Sequence, residues 1–113
     1  MKILGTGLNG LVGSRVVELL SPKYEFESVS RSTGVDIQDP GSIRSAIETS
    51  NADVVLHLAA KTNVDGCEED RNIDTEFQSG RVSEQEIIQK QTAWATNVLG
   101  TENVVSACRE FGK

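Results

Sequence analysis

The sequence predicts an α/β fold, a parallel sheet with helices on both faces. Three observations carry this. Gly7, Gly10 and Gly13 stand between a short apolar run, Ile3-Leu4, and an amphipathic one, Leu11 to Leu20. Val54-Val55-Leu56 with Leu58 forms the continuous apolar run of a central parallel strand. Two helix-start signals, Asp39-Pro40-Gly41 and Ser83-Glu84-Gln85-Glu86, punctuate the rest.

Taken in order, Lys2 to Thr6 reads as a buried strand. Leu11, Val12, Val16, Leu19 and Leu20 fall on one face of the first helix, with Ser14, Arg15 and Glu18 opposite. Ser21-Pro22 ends it. Tyr24 to Ser30 reads as a second strand and Val35-Asp36-Ile37 as a short third. Ile43, Ala46 and Ile47 mark the inner face of a second helix, and Asp53 to Ala60 is the fourth strand. Asn63 to Arg81 is polar and acidic and reads as a loop. From Ser83 one long helix is expected, carrying Ile87, Gln91, Trp94, Val98, Val105 and Cys108 on one face. It would end near Phe111 with Gly112 as its stop, and Gly100 would let it approach a neighbouring backbone. The element order is then β-α-β-β-α-β-α. Right-handed crossovers give the sheet order 3-2-1-4.

The glycines make chemical sense in this frame. The first permits a tight turn, the second removes a Cβ that would block a phosphate, and the third lets helix and strand pack closely. Gly5-x-Gly7-x-x-Gly10 is a second register of the same pattern, but it would shorten the first strand. The helix start offers free N–H groups to an anion. The sheet order reverses between strands 1 and 4, and a ligand is expected at that edge. The loop residues Gly7, Asn9, Gly10, Leu11, Val12 and Gly13 converge there with Ser30-Arg31 and with Leu58-Ala59-Ala60. This is the plan of a Rossmann-type dinucleotide-binding fold. An acid after strand 2 would bind the ribose hydroxyls of NAD. Ser30-Arg31-Ser32 offers hydroxyls and a guanidinium instead, which suits a 2′-phosphate, so NADP(H) is favoured over NAD(H). Asp36-Ile37 would border the adenine.

The 113 residues suit one small domain with a net charge of −6. The charge is concentrated: the segment 65–86 holds eight acids and two bases, and the remainder is neutral. No basic face is available for nucleic acid. No apolar run is long enough for a membrane span. Cys67 and Cys108 form no zinc-like pattern, and reduced thiols in a cytoplasmic protein are the plain expectation. Asp65 with Glu68 lacks a third metal ligand, so no metal site is assigned. His57 and Trp94 read as core residues.

These residues resemble the extended short-chain dehydrogenase/reductase family, in its dTDP-4-dehydrorhamnose reductase (RmlD-like) branch. The resemblance rests on Thr6-Gly7-x-x-Gly10-x-x-Gly13, Asp36-Ile37 and His57-Leu58-Ala59-Ala60. It rests further on Ala59-Ala60-Lys61-Thr62-Asn63-Val64-Asp65-x-x-Glu68 and Trp94-Ala95-Thr96-Asn97-Val98-Leu99-Gly100-Thr101. It implies that Gly10, Leu11 and Val12 contact the cofactor pyrophosphate. Asp36-Ile37 and Leu58-Ala59-Ala60 would line the adenosine side. Lys61 would face the nicotinamide ribose, Thr62 and Val64 the sugar nucleotide, and Asn97 would steady the loop behind the cofactor. Lys61 stands where the branch commonly has an aromatic residue. The stretch at about 66–82 resembles an acidic loop insertion.

The family's acid/base pair, Tyr-x-x-x-Lys, is missing, so no catalytic residue is assigned. The only tyrosine is Tyr24, with Ser28 four residues on. The resemblance therefore implies that residues 1–113 are the NAD(P)-binding half, with the C-terminal substrate domain absent. The function expected is the cofactor-binding part of an oxidoreductase of nucleotide-sugar metabolism, reducing a nucleotide-linked 4-keto-6-deoxy sugar. Two alternatives stand beside it: a non-catalytic NAD(P)-binding regulatory module, and a fragment of an NAD-dependent sugar-nucleotide epimerase or dehydratase. An uncovered sheet edge would also favour self-association or a partner.

Overall fold

A computed structural model describes all residues, 1–113. The chain runs β1 (Lys2–Thr6), α1 (Leu11–Leu20), β2 (Glu25–Val29), a 3₁₀ turn (Arg31–Thr33), α2 (Pro40–Thr49) and β3 (Val54–His57). It continues through α3 (Val64–Glu69), α4 (Arg71–Gln78), α5 (Glu84–Gln89), a π-helical turn (Ala95–Leu99) and α6 (Gly100–Phe111). The sheet is parallel, with strand order β2-β1-β3 and Ile3 opposite Phe26 and Val54. It is a Rossmann-type α/β arrangement. The order reverses at β1, so the crossovers put α1 and α2 on opposite faces.

The expected third strand is not formed, and the sheet has three strands rather than four. Local partners hold the backbone of Val35-Asp36-Ile37 instead. The Val35 N–H goes to the Ser30 carbonyl, and Ser42 Oγ accepts the Asp36 N–H at 2.9 Å. Asp36 Oδ1 accepts the Gln38 N–H at 2.9 Å. A segment whose amides are satisfied locally has none left for a ladder.

One face of the sheet is well filled. Asp39 caps α2 by accepting from the Gly41 and Ser42 N–H groups, and Pro40 follows in the first turn. Ile43 and Ile47 of α2 meet Val104 and Ala107 of α6, with Val55 of β3 packed against them. Arg44 of α2 makes two bonds to Glu110 of α6, at 3.0 and 2.6 Å, and lies over the Phe111 ring. Gly112 ends α6 in the left-handed conformation at φ 68°. The α1 face differs from expectation. Its apolar stripe does not reach a core: Leu11 is 92% exposed and Val12 63%, and Gly13 is the only buried residue of α1.

Two further expectations are corrected. The acidic segment is largely helical, as α3 and α4, and not a loop. Asn63 caps α3 by accepting the Gly66 N–H, and α4 turns Ile73, Asp74 and Phe77 inward. The long helix is also broken. Ser83 starts α5 as its N-cap, accepting the Glu86 N–H at 3.2 Å. The chain then turns at Lys90 to Thr92, with Gln91 at φ 52°, before helix resumes at Ala93. Carboxylates from α4 and its N-cap hold that restart. Asp70 Oδ2 accepts the Ala93 N–H at 2.8 Å, and Asp74 Oδ2 accepts the Trp94 N–H at 3.1 Å. Negative charge at a helix N-terminus is favourable, and here it satisfies N–H groups that have no intrahelical partner. Gly100 approaches a side chain and not a backbone: a Cβ there would stand 2.9 Å from Ile37 Cδ1.

Candidate functional site at the sheet edge

The turn from β1 into α1 is built by close backbone approach. Gly7 adopts φ 68°, and a Cβ on it would lie 2.6 Å from the Ala59 nitrogen, in the loop after β3. A Cβ on Gly13 would lie 2.3 Å from the Gly7 carbonyl oxygen and 2.6 Å from Leu8 Cα. These contacts draw the loops after β1 and β3 together and pin the first turn of α1 onto the loop. They select the later glycine register. Gly5, of the other register, faces the Leu8 side chain inside the fold. Gly10 is the N-cap of α1 and makes no side-chain cap, and no acid sits in the first turn. The first N–H groups of α1 are thus left for an anion.

A cavity of about 950 Å³ opens at this edge. Its lining brings together Gly7, Asn9, Gly10, Leu11, Val12 and Gly13 with Ser30 and Arg31. Asp36 and Ile37 join them, as do Leu58, Ala59, Ala60, Lys61 and Thr62. Arg31 is half exposed and lies 3.8 Å from Asp36 Oδ1. Two of the residues singled out from sequence stand outside this lining. Asn97 sits behind it: its amide accepts the Lys61 N–H at 2.7 Å and donates to the Lys61 carbonyl at 3.0 Å. Both backbone groups of Lys61 are thereby fixed. Val64 lines an adjoining cavity of about 580 Å³, together with Thr62, Trp94 and Asn97. Lys61 borders both cavities, and its ammonium is held by Asp70 at 2.5 Å.

His57 is woven into the wall of the site. Thr6 Oγ1 accepts the Leu58 and Ala59 N–H groups at 3.2 and 3.1 Å. Its own hydroxyl then donates to His57 Nδ1 at 2.6 Å. That leaves the proton on Nε2, which donates to Thr101 Oγ1 at 3.0 Å. Burial pushes the imidazole below its ordinary value of 6.5, which keeps it neutral and suits this tautomer. The chain Thr6–His57–Thr101 locks the start of the Leu58-Ala59-Ala60 loop to α6.

Sequence reasoning missed Gln38, Lys90, Gln91 and Thr96, which also line the larger cavity. The signal for Lys90 and Gln91 was the helix break itself, hidden by an unbroken apolar periodicity across it. Gln38 follows Asp36-Ile37 directly but carries no motif of its own. No helix is long and apolar enough to cross a membrane.

Comparison with known proteins gives the family and the fold. The GDP-6-deoxy-D-talose 4-dehydrogenase of Aggregatibacter actinomycetemcomitans is 39% identical over 66 residues, 57% of this chain and 22% of that protein. The crystal structure of a dTDP-4-dehydrorhamnose reductase from Clostridium acetobutylicum superposes with a TM-score of 0.74 at 26% identity. It covers 99% of this chain and 33% of that one. The dTDP-4-dehydrorhamnose reductase of Bacillus anthracis, in complex with NADP, gives 0.73 at 23% identity, over 98% and 33% of the two chains. The chain thus spans a third or less of the length of these relatives. The model of the RmlD substrate binding domain family matches residues 1–84, and the chain belongs to that family.

Proposed function

We propose that residues 1–113 form the NADP(H)-binding part of a sugar-nucleotide oxidoreductase, reducing a nucleotide-linked 4-keto-6-deoxy sugar. The observation that carries this is the uncapped, acid-free N-terminus of α1, opening through Gly7 and Gly10 onto a cavity at the strand-order reversal. A pyrophosphate would take the free N–H groups of Leu11, Val12 and Gly13, with no side chain on Gly10 to stand in its way. A dinucleotide held there would supply the hydride that reduces the keto carbon. Arg31 and Ser30 would take the 2′-phosphate, Asp36 and Ile37 the adenine, and Leu58-Ala59-Ala60 the other adenosine wall. The Lys61 backbone, fixed by Asn97, would back the nicotinamide ribose. Thr62 and Val64 line the adjoining cavity, where the sugar nucleotide would lie against the cofactor.

No residue within 1–113 is assigned as the proton donor. Tyr24, the only tyrosine, is outside the cavity. The free edge of β3, which pairs only with β1, supports self-association. Light scattering checks this: a dimer or larger species is expected, and a clean monomer counts against it.

The test of the main reading is a titration of the purified chain with NADPH and NADH, followed by calorimetry. Tighter NADPH binding is expected, weakening as salt rises, with the preference lost in Arg31→Asp. Gly10→Val should abolish binding of both while far-ultraviolet circular dichroism stays unchanged. Normal binding by Gly10→Val would reduce the loop to a turn and end the proposal. With NADPH and a dTDP-4-keto-6-deoxy sugar, the chain alone should show no substrate-dependent oxidation, since general acid catalysis is typically worth ~10²–10⁴-fold. Oxidation above the protein-free control would mean that the donor lies within residues 1–113.

A further inference from the structure

The Thr6 hydroxyl, at the end of β1, has no hydrogen-bonding capacity to spare. A hydroxyl carries one donor and two acceptor lone pairs. Both lone pairs are taken by amides of the loop after β3, the Leu58 N–H at 3.2 Å and the Ala59 N–H at 3.1 Å. The one proton goes to His57 Nδ1 at 2.6 Å. Thr6 is 1% exposed, so water offers no substitute for a lost partner. The glycine turn rests on the same loop, since a Cβ on Gly7 would lie 2.6 Å from the Ala59 nitrogen. One hydroxyl thus registers two walls of the larger cavity, the turn before α1 and Leu58-Ala59-Ala60.

A proton added to Nδ1 has no place in this arrangement. The new N–H would face an oxygen whose lone pairs are both in use, and the Thr6 proton would lose its acceptor. To accept from the ring, Thr6 must release Leu58 or Ala59. No charged group faces the ring to offset the added charge. β1 and α6 present Thr6 and Thr101 to it, and burial is the one cause that lowers its titration. The charged groups of the surrounding segments are engaged elsewhere or exposed: Lys2 with Glu27, Asp36 with Arg31, Lys61 with Asp70, and Glu102 in solvent.

We propose that Thr6 and His57 are positioning residues for the dinucleotide: the neutral imidazole holds the loop after β3 in its binding form, and protonation of Nδ1 releases it. This rests on the dinucleotide reading above. Affinity is then tied to pH through His57, a residue outside the cavity lining.

His57 is the single histidine, so its ring protons give one titration curve by proton NMR. Measured without and with NADPH, that curve should move to lower pH by about 0.5–1, because one neutral hydrogen bond predicts about a three- to tenfold preference for the unprotonated form. An anion acting through its charge alone would move the curve upward, so an upward or absent shift overturns the proposal. Calorimetric affinity for NADPH should fall by the same factor as the ring protonates. In His57→Asn, whose Oδ1 accepts the Thr6 proton and does not titrate, that fall should vanish. The 2′-phosphate itself titrates near pH ~6, equally for both proteins, so the difference between them is what is read. Thr6→Val should weaken binding and flatten its pH dependence, and Thr6→Ser, which restores the hydroxyl, should recover both. A pH profile for His57→Asn that matches the wild type overturns the proposal, and the NMR titration of the wild type decides if a variant fails to fold. If neither NADPH nor NADH binds at any pH, the dinucleotide reading falls and this proposal with it. Binding that leaves the His57 titration unmoved defeats the positioning role alone.

Discussion

The two faces of the sheet are covered by helices of similar amphipathic design but are buried to different depths. On one face α2 inserts Ile43 and Ile47 between the sheet and α6, and both are fully buried. On the other, α1 carries Leu11, Val12, Leu19 and Leu20 along a stripe that stays exposed. What separates them is a second helix: α2 has α6 as a partner, and α1 has none. The first turn of α1 is nevertheless fastened, through Gly13 against Gly7 and Leu8. Apolar periodicity thus states that a face requires cover, without stating what covers it. α1 is held by backbone contact at its ligand-facing end, and not by its stripe.

The largest effect should come from the filled face. Ile47→Ala removes a fully buried side chain and is expected to cost about 2–5 kcal/mol in denaturant unfolding. Loss of under 1 kcal/mol would mean that this core relaxes freely. Next comes Gly13→Ala, where the added Cβ meets backbone 2.3 Å away. The start of α1 must shift, so dinucleotide binding should be lost along with on the order of 1–3 kcal/mol of stability. Retained binding would show that the stripe and not the loop positions α1.

The His57 bridge, on the filled face, predicts a pH dependence. The folded imidazole titrates below its ordinary 6.5, so near and below that pH the unfolded chain binds more protons. The contribution is complete above pH 6.5 and is lost as pH falls through the lowered folded value. Glu27 acts in the same direction at lower pH, held below its ordinary 4.5 by Ser50 and Lys2. Unfolding at pH 7.5 and 5.5 should show lower stability at 5.5, and His57→Gln should flatten that slope. The smallest effect is expected on the open face. Leu19→Ala should change stability by within about 0.5 kcal/mol. A cost comparable to that of Ile47→Ala would mean that α1's stripe is covered in solution, through association.

Legibility in the sequence followed the range of the interactions. The glycine loop, the Asp39-Pro40 start of α2 and the Ser83 start of α5 depend on neighbours within a few residues, and each is readable locally. Of the residues singled out for the cofactor, only Asn97 lies off the cavity lining, and it fixes Lys61 from behind. The third strand failed because Ser30, Ser42 and Asp36 itself satisfy its backbone. The acidic segment was misread because its composition is that of a solvated loop. Its apolar residues Ile73 and Phe77 are few, though four apart as a helix requires. The break at Gln91 was hidden because the groups that restart the helix, Asp70 and Asp74, come from about twenty residues upstream. Gln38 was missed because its place in the lining is set by packing and not by any local motif.

Asp70 carries a consequence for how the molecule opens. One of its oxygens receives both the Lys61 ammonium and the Ala93 amide, joining the loop after β3 to the helix that resumes there. Asn97 joins the same two segments a turn later, through both backbone groups of Lys61. Neither segment can detach without breaking these shared bonds. The Lys61 and Ala93 amides should therefore exchange hydrogen for deuterium as one cooperative unit, with a common opening free energy. Asp70→Asn, which weakens the ion pair, should quicken both together, although the two residues are 32 positions apart in the chain.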